Sequence, residues 1–312
     1  MLLRWLVNNY LRDAAQEKVR EAVSGVLTQR SPRTVARPAA PQPSPSAETS
    51  AESPVESPAG STAGEEEFLP CDVLFLFALG IESGGLADAL TGVETSRHKH
   101  GLERAGKLDG REVAIVEGGV GIRAAARAAK AAIEFYRPEW VVSAGFAGAL
   151  CEDLRRGHIL MADRVAGIGG EELAVGIKLE PETLAATKGL HVGKLLTVEG
   201  IVRKAQERHE LFRTHGAMAC DMETLGVAQA CRDLGAKLVS VRIISDAVDD
   251  ELPPEIEALL DQKSLAGKLG AAAGAMLKRF SAAKDMWRLR EDALKASDRL
   301  AKFLRGVVRQ LP

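Results

Sequence analysis

Three carboxylates in this 312-residue chain stand beside apolar stretches, where acid–base chemistry is most easily built. Asp246 follows Ser245 at the end of the mainly apolar residues 239–244, and Glu82 follows the apolar residues 71–79. Glu223, preceded by Met222, opens another such stretch. An acid at the carboxyl end of a buried parallel strand lies where open α/β sheets bind ligands. Three acids in one cleft would suit cleavage of a glycosidic bond, one protonating the leaving group and another activating water. Two of them have a plainer role as well, Asp246 as the cap of a turn and Glu223 as a helix-opening residue favoured by the helix dipole. Glycines supply the second ingredient. Gly118, Gly119 and Gly121 separate an apolar stretch from an Ala-rich one, and Gly145-Phe146-Ala147-Gly148 follows the next apolar run. Two glycine turns on one sheet edge let a ligand approach backbone amides. Ala124 stands where a dinucleotide fingerprint has its third glycine, so the complete GxGxxG motif is absent.

Other chemistries are poorly provided for. His98 and His100, the one close histidine pair, sit in a basic polar segment without acidic or thiol neighbours, so no metal site is expected. Cys71, Cys151, Cys220 and Cys231 have no CxxC spacing. Buried reduced thiols in a cytoplasmic compartment are expected, and no cluster suggests a cofactor. The formal charge of −2 gives no overall field toward nucleic acid, and 46% hydrophobic content is ample for a core.

The elements around the candidate residues alternate. Strands are expected at 71–79, 111–116, 140–144, 158–165, 193–197 and 237–244, and helices at 123–136, 221–234 and 254–282. This order predicts one α/β domain over residues 68–282, with a mixed, largely parallel central sheet flanked by helices. Residues 31–67 hold seven of the 13 prolines among Ser, Ala, Thr and Glu. They bury too little apolar surface to offset ordering entropy, so a disordered tether is expected there. Residues 1–30 and 283–312 space their apolar side chains as amphipathic helices. Asn8, Asn9, Arg12 and Asp13 interrupt the first, which makes it neither a signal peptide nor a membrane span. In the second, Trp287, Leu294, Leu300, Leu304, Val307 and Leu311 share a side, with eight basic against four acidic residues around them. Each helix has two uses: packing on the protein, or lying peripherally on an anionic membrane or a protein partner.

Taken together, EGGVGIRAAARAAKAAIEFYRPEWVVSAGFAGAL (117–150), CDMETLGVAQAC (220–231) and VRIISDAVD (241–249) resemble the purine nucleoside phosphorylase and nucleosidase superfamily. Within it, the methylthioadenosine/adenosylhomocysteine nucleosidases are the most similar. The resemblance spans residues 71–280 and excludes the tether and both terminal helices. It implies that Asp246, with Ser245 beside it, protonates the purine ring nitrogen. It further implies that Glu223 and Met222 hold the ribose, Glu223 favouring an oxocarbenium-like sugar, and that Glu82 positions and deprotonates the attacking water. Phe146, Ala147, Gly148, Ile201 and Val202 would complete the substrate site.

The chain departs from the family pattern in three places. Phe146 replaces a small polar residue. Residues 197–202 replace the stretch whose aromatic stacks on adenine, leaving Ile201 and Val202 to sandwich a base by dispersion. Residues 167–188 lack the aromatic substrate loop. The expected activity is hydrolysis of the N-glycosidic bond of a purine nucleoside, a 5′-modified adenosine such as methylthioadenosine or adenosylhomocysteine. The alternatives are phosphorolysis, with Arg104 or Arg123 serving phosphate and extending to a hopanoid-linked adenosine, and a non-catalytic nucleoside-binding module. An acid at position 82 repels a phosphate dianion, which favours water as co-substrate over phosphate. Family members are often dimers or larger, so a homo-oligomer is expected.

Overall fold

In the computed structural model, residues 69–98, 101–175, 187–252 and 280–312 are described, the last helix with its side chains from residue 291 onward. The strand β1 (Val73–Phe77) is buried over its whole length, and its alternation sets the layers. Val73, Phe75 and Phe77 face one apolar cluster, while Leu74 and Leu76 face another. Burial on both faces is why such a strand reads as an unbroken apolar run. It pairs in parallel with β4 (Arg111–Glu117) and β5 (Trp140–Ala149), and β5 pairs in parallel with β10 (Lys237–Asp246). All four therefore end at one edge, and the loops that follow them share it.

The rest of the sheet curls round. The strand β10 pairs antiparallel with β6 (Ile159–Gly167), which pairs in parallel with β8 (Leu190–Thr197). Next, β8 pairs with β9 (Ala219–Asp221), and β9 returns antiparallel to β5, closing a ring of strands. A short β7 (Glu172–Ala174) lies along β6. On the other side, the hairpin of β2 (Thr91–His98) and β3 (Gly101–Leu108) extends the sheet beyond β4. This hairpin was not expected from the sequence, in which His98 and its neighbours look like a polar loop. At a sheet edge the side chains of residues 91–97 stay exposed, so the apolar–polar alternation that marks a half-buried strand is missing.

Helices cover both faces. The Ala-rich α2 (Ile122–Tyr136) and α4 (Thr224–Leu234) pack on Leu74, Leu76 and Val141. On the opposite face, α1 (Gly80–Ala87) and α5 (Phe280–Gln310) cover Phe75, Val142 and Val241. The short α1 carries three glycines and α3 (Ala205–His215) is densely charged, so neither declares itself by propensity.

The C-terminal α5 is part of the core. Leu300, Leu304, Val308 and Leu311 are buried, each worth about 1.5–3 kcal/mol of apolar transfer. Polar contacts fix its register. The Ser297 hydroxyl donates to the Glu82 carbonyl and accepts from the Gly85 N–H, and Arg305 reaches Asp109 at 2.6 Å. From Leu300 onward the stripe offered by the sequence to a membrane or partner is thus spent on the protein itself, whereas Leu294, expected in the same stripe, is exposed. Residues Phe68–Pro312 form one unit, whereas the sequence reading closed the catalytic domain at residue 282. None of the described helices is long and apolar enough to cross a membrane. The expected N-terminal helix, the tether and all but the last residues of the helix at 254–282 lie outside the described residues.

Candidate active site

Glu82 lies in the first turn of α1, just past the end of β1. Its Oε2 accepts hydrogen bonds from the Ala78 and Leu79 N–H groups at 3.0 and 2.9 Å. Its Oε1 accepts one from the Phe146 N–H at 2.9 Å. The carboxylate is thus pinned between the ends of β1 and β5 by three backbone donors. Burial pushes its pKa up, and the Phe146 amide and the charge of Arg242 pull against that. The result is a carboxyl more basic than an exposed one, as a general base requires.

The glycines expected to form a second turn do something else. Residues 145–149 remain strand, paired with β10 up to Gly148. A side chain at Gly145 would place its Cβ 2.8 Å from Glu82 Oε1, and one at Gly148 would lie 2.7 Å from Asp246 Oδ2. The two glycines make room for the two acids, which is a steric role rather than a ligand-cradling turn.

Glu223 is the N-cap residue of α4. Its Oε1 accepts the Gly121 N–H at 2.9 Å, so the glycine turn after β4 holds it. Burial, then repulsion from Asp221 and Glu82, pushes its pKa up to about 8. Glu82 and Glu223 line one cleft with Gly118, Ser143, Gly145 and Arg242. Asp246 does not line that cleft. It ends β10 beside Gly148, with Oδ1 2.5 Å from the Ser245 hydroxyl and Oδ2 against the guanidinium of Arg208. Burial raises its pKa, and Arg208 and Ser245 oppose the rise. The Ser245 hydroxyl also lies 3.3 Å from the Ala147 carbonyl. Phe146 is part-buried, with its N–H on Glu82. Met222 packs against the cluster containing buried Val202, while Ile201 is only part-buried and lies outside it.

The raised pKa of Glu223 makes a stability prediction. Its carboxyl holds a proton in the folded state up to about pH 8, whereas the unfolded chain releases it near 4.5. Between those values the folded state binds more protons, so this residue's contribution falls as pH rises, by roughly 1.4 kcal/mol per unit. Chemical denaturation should therefore show Glu223→Gln gaining on the wild type from pH 5 to pH 8, across the window set by that shift. A stability difference that does not change with pH would contradict this.

Two arginines escaped sequence reasoning. Arg242, inside β10, is buried and donates to Asp221 Oδ2 from Nε at 3.0 Å and from Nη2 at 2.8 Å. Its Nη2 also meets the hydroxyls of Ser143 and Thr224 at 2.9 and 2.6 Å. Asp221 in turn receives the Thr197 hydroxyl at 2.8 Å. A lone arginine in an apolar strand had to be paired, which was the available signal. Arg208 gave no signal, lying in the charged α3 where most side chains are exposed.

The residues considered for phosphate are not gathered at the cleft. Arg104 is paired with Glu117 at 2.5 Å, and Glu117 also accepts the Ser83 hydroxyl at 2.6 Å. Arg123 is exposed in the first turn of α2. All four cysteines are unpaired, and burial pushes the thiols of Cys71, Cys220 and Cys231 up to about 12. Among the described residues no three His, Cys, Asp or Glu side chains are grouped to hold a metal ion.

Residues 73–280 match the family model described as the phosphorylase superfamily. A 5′-methylthioadenosine/S-adenosylhomocysteine nucleosidase of Staphylococcus aureus (strain JH9) is 27% identical over 181 residues, covering 51% of this chain and 79% of its own length. Among solved structures, the nucleosidase of that name from Colwellia psychrerythraea 34H, in complex with adenine, aligns with a TM-score of 0.53 at 24% identity. That alignment covers 62% of this chain and 89% of the other. The Helicobacter pylori nucleosidase with butyl-thio-DADMe-Immucillin-A aligns with a TM-score of 0.60 at 18% identity, covering 78% of this chain and all of its own.

Proposed function

Because the chain belongs to the phosphorylase superfamily, we propose that it is a nucleosidase, hydrolysing the N-glycosidic bond of a purine nucleoside. The substrate class is a 5′-modified adenosine such as methylthioadenosine or adenosylhomocysteine, the compounds that name its relatives. The observation that carries the reading is Glu82, a buried carboxylate held by three backbone amides at the head of the cleft. A fixed anion there repels phosphate and accepts a proton from water, so the nucleophile is water.

In this reading Asp246 gives a proton to the purine ring nitrogen as the bond from sugar to base breaks and its electron pair leaves with the base. Water attacks the anomeric carbon and passes a proton to Glu82. The products are the free base and the sugar carrying a new hydroxyl. Glu223 hydrogen-bonds the ribose hydroxyls. Burial keeps Glu223 protonated up to about pH 8, helped by repulsion from the negative charge of Asp221 and Glu82 that Arg242 only partly offsets. A sugar that becomes cationic in the transition state relieves that repulsion, which is stabilisation gained only as the barrier is crossed.

The test is chromatographic detection of free base after incubation with methylthioadenosine, adenosylhomocysteine, adenosine and inosine, each with and without phosphate. Release that is independent of phosphate is the expected result. Release only with phosphate would remove water as nucleophile and Glu82 as base. No release from any of them would remove the enzymatic reading for these substrates.

A further inference from the structure

Arg208 is among the largest fully buried side chains of the protein, yet it lies on α3, a helix whose other charged residues face solvent. Its Nη1 donates to the Ala247 carbonyl at 2.9 Å and its Nη2 to the Val202 carbonyl at 3.0 Å. The same guanidinium contacts Asp246 Oδ2. Its Nε is buried without a partner among the described residues. Leaving a donor unmet costs stability, and a buried ion pair is seldom more stable than a well-packed apolar pair. A residue kept at that cost, on the acid assigned to proton donation, points to a role in the reaction.

We propose that Arg208 is a positioning residue that fixes Asp246 by its Oδ2, leaves Oδ1, beside the Ser245 hydroxyl, to carry the transferred proton, and ties the acid to the Ile201–Val202 segment. This rests on the hydrolase reading above. The carbonyls of Val202 and Ala247 hold the guanidinium from two sides, so it cannot follow Asp246 if the carboxylate swings. Burial raises the acid's pKa, and the charge of Arg208 is the largest influence pulling it back down. The other groups facing Asp246 are Cys220 on β9, a neutral thiol at ordinary pH, Asp250 beyond β10, and Arg156 ahead of β6. Arg156 is paired with Asp250 at 2.7 Å, which leaves Arg208 as the cation in direct contact among the described residues.

The test uses the full chain carrying Arg208→Gln, which removes the charge but keeps an amide donor, or Arg208→Lys, which keeps the charge. Turnover of methylthioadenosine is followed against pH. A general acid must be protonated, so turnover falls as pH rises through the pKa of Asp246. Removing a cation in contact with a carboxylate raises its pKa by about 1–3 units. The alkaline limb of kcat should therefore move up by about one unit or more in Arg208→Gln, and stay with the wild type in Arg208→Lys. A uniform loss at every pH in Arg208→Gln would show a structural role and overturn the proposal.

Should Arg208→Gln not fold, calorimetry on the wild type decides. Adenine binding in buffers of different ionisation enthalpy should register net proton uptake, because the Arg208 contact favours the ionised carboxylate against burial and leaves part of the Asp246 population without the proton that a bound base shares. Zero uptake would overturn the proposal. An inactive Asp246→Asn with an unmoved limb in Arg208→Gln removes only Arg208's role. Full turnover in Asp246→Asn removes the hydrolase reading itself.

Discussion

Asp246→Asn should cut the release of free base by about 10²–10⁴-fold, the contribution of a positioned general acid. Nucleoside affinity should change far less, because asparagine keeps the size and the hydrogen-bonding reach of the side chain but has no proton to give. Stability will fall as well. The substitution leaves the buried Arg208 with carbonyl partners but no counter-charge. Breaking one side of a buried pair costs about 3–5 kcal/mol, so turnover must be measured well below the variant's unfolding midpoint. Single-turnover kinetics on the folded variant separates the two effects. A rate within a few-fold of the wild type would take the acid role away from Asp246.

Arg242→Met should lower the unfolding free energy by about 3–5 kcal/mol. For a domain of this size that is a drop in Tm of about 10 °C. The cause is Asp221, whose side chain is wholly buried and loses two guanidinium bonds at 3.0 and 2.8 Å. The hydroxyls of Thr197 and Thr224 remain on it but bring no charge. Activity should shift too, and the sign can be worked out. Arg242 lowers the pKa of both Glu82 and Glu223. Without it Glu82 binds its proton more tightly, so the acidic limb of the pH–rate profile moves to higher pH. Arg242→Lys restores the charge without the planar fork, and should recover the limb more fully than the Tm. An unchanged Tm in Arg242→Met would mean that the buried network contributes nothing to the fold.

The chemistry-bearing residues were legible because each interrupts a pattern. A carboxylate directly after an apolar run, as at Asp246, is costly unless used or paired. A Met-Glu pair opening a helix, and glycines between strand and helix, are equally visible in one dimension. The same holds for the central strands, whose buried stretches 73–77, 113–116, 140–144 and 238–244 are mainly apolar. The amphipathic spacing of α5 was visible as well, though not what it would cover.

Convergence was decided in three dimensions. Parallel pairing of four strands brings Glu82, Gly121 and Asp246 to one edge, although more than 100 residues of sequence separate each of the first two from Asp246. The purpose of Gly145 and Gly148 was equally hidden, because the atoms they make room for belong to residues 82 and 246. Arg208 resembles an ordinary surface charge until its partners are seen, and the apolar strand around Arg242 says that it is paired but not with what. Composition and periodicity record how buried a residue is along its own element, whereas a site is made of contacts between elements. By itself the sequence determined the central strands, the acids at their ends and the class of chemistry. Only the tertiary structure decided that Glu82 and Glu223 share a cleft, that Asp246 is held by Arg208, and that the C-terminal helix closes the core.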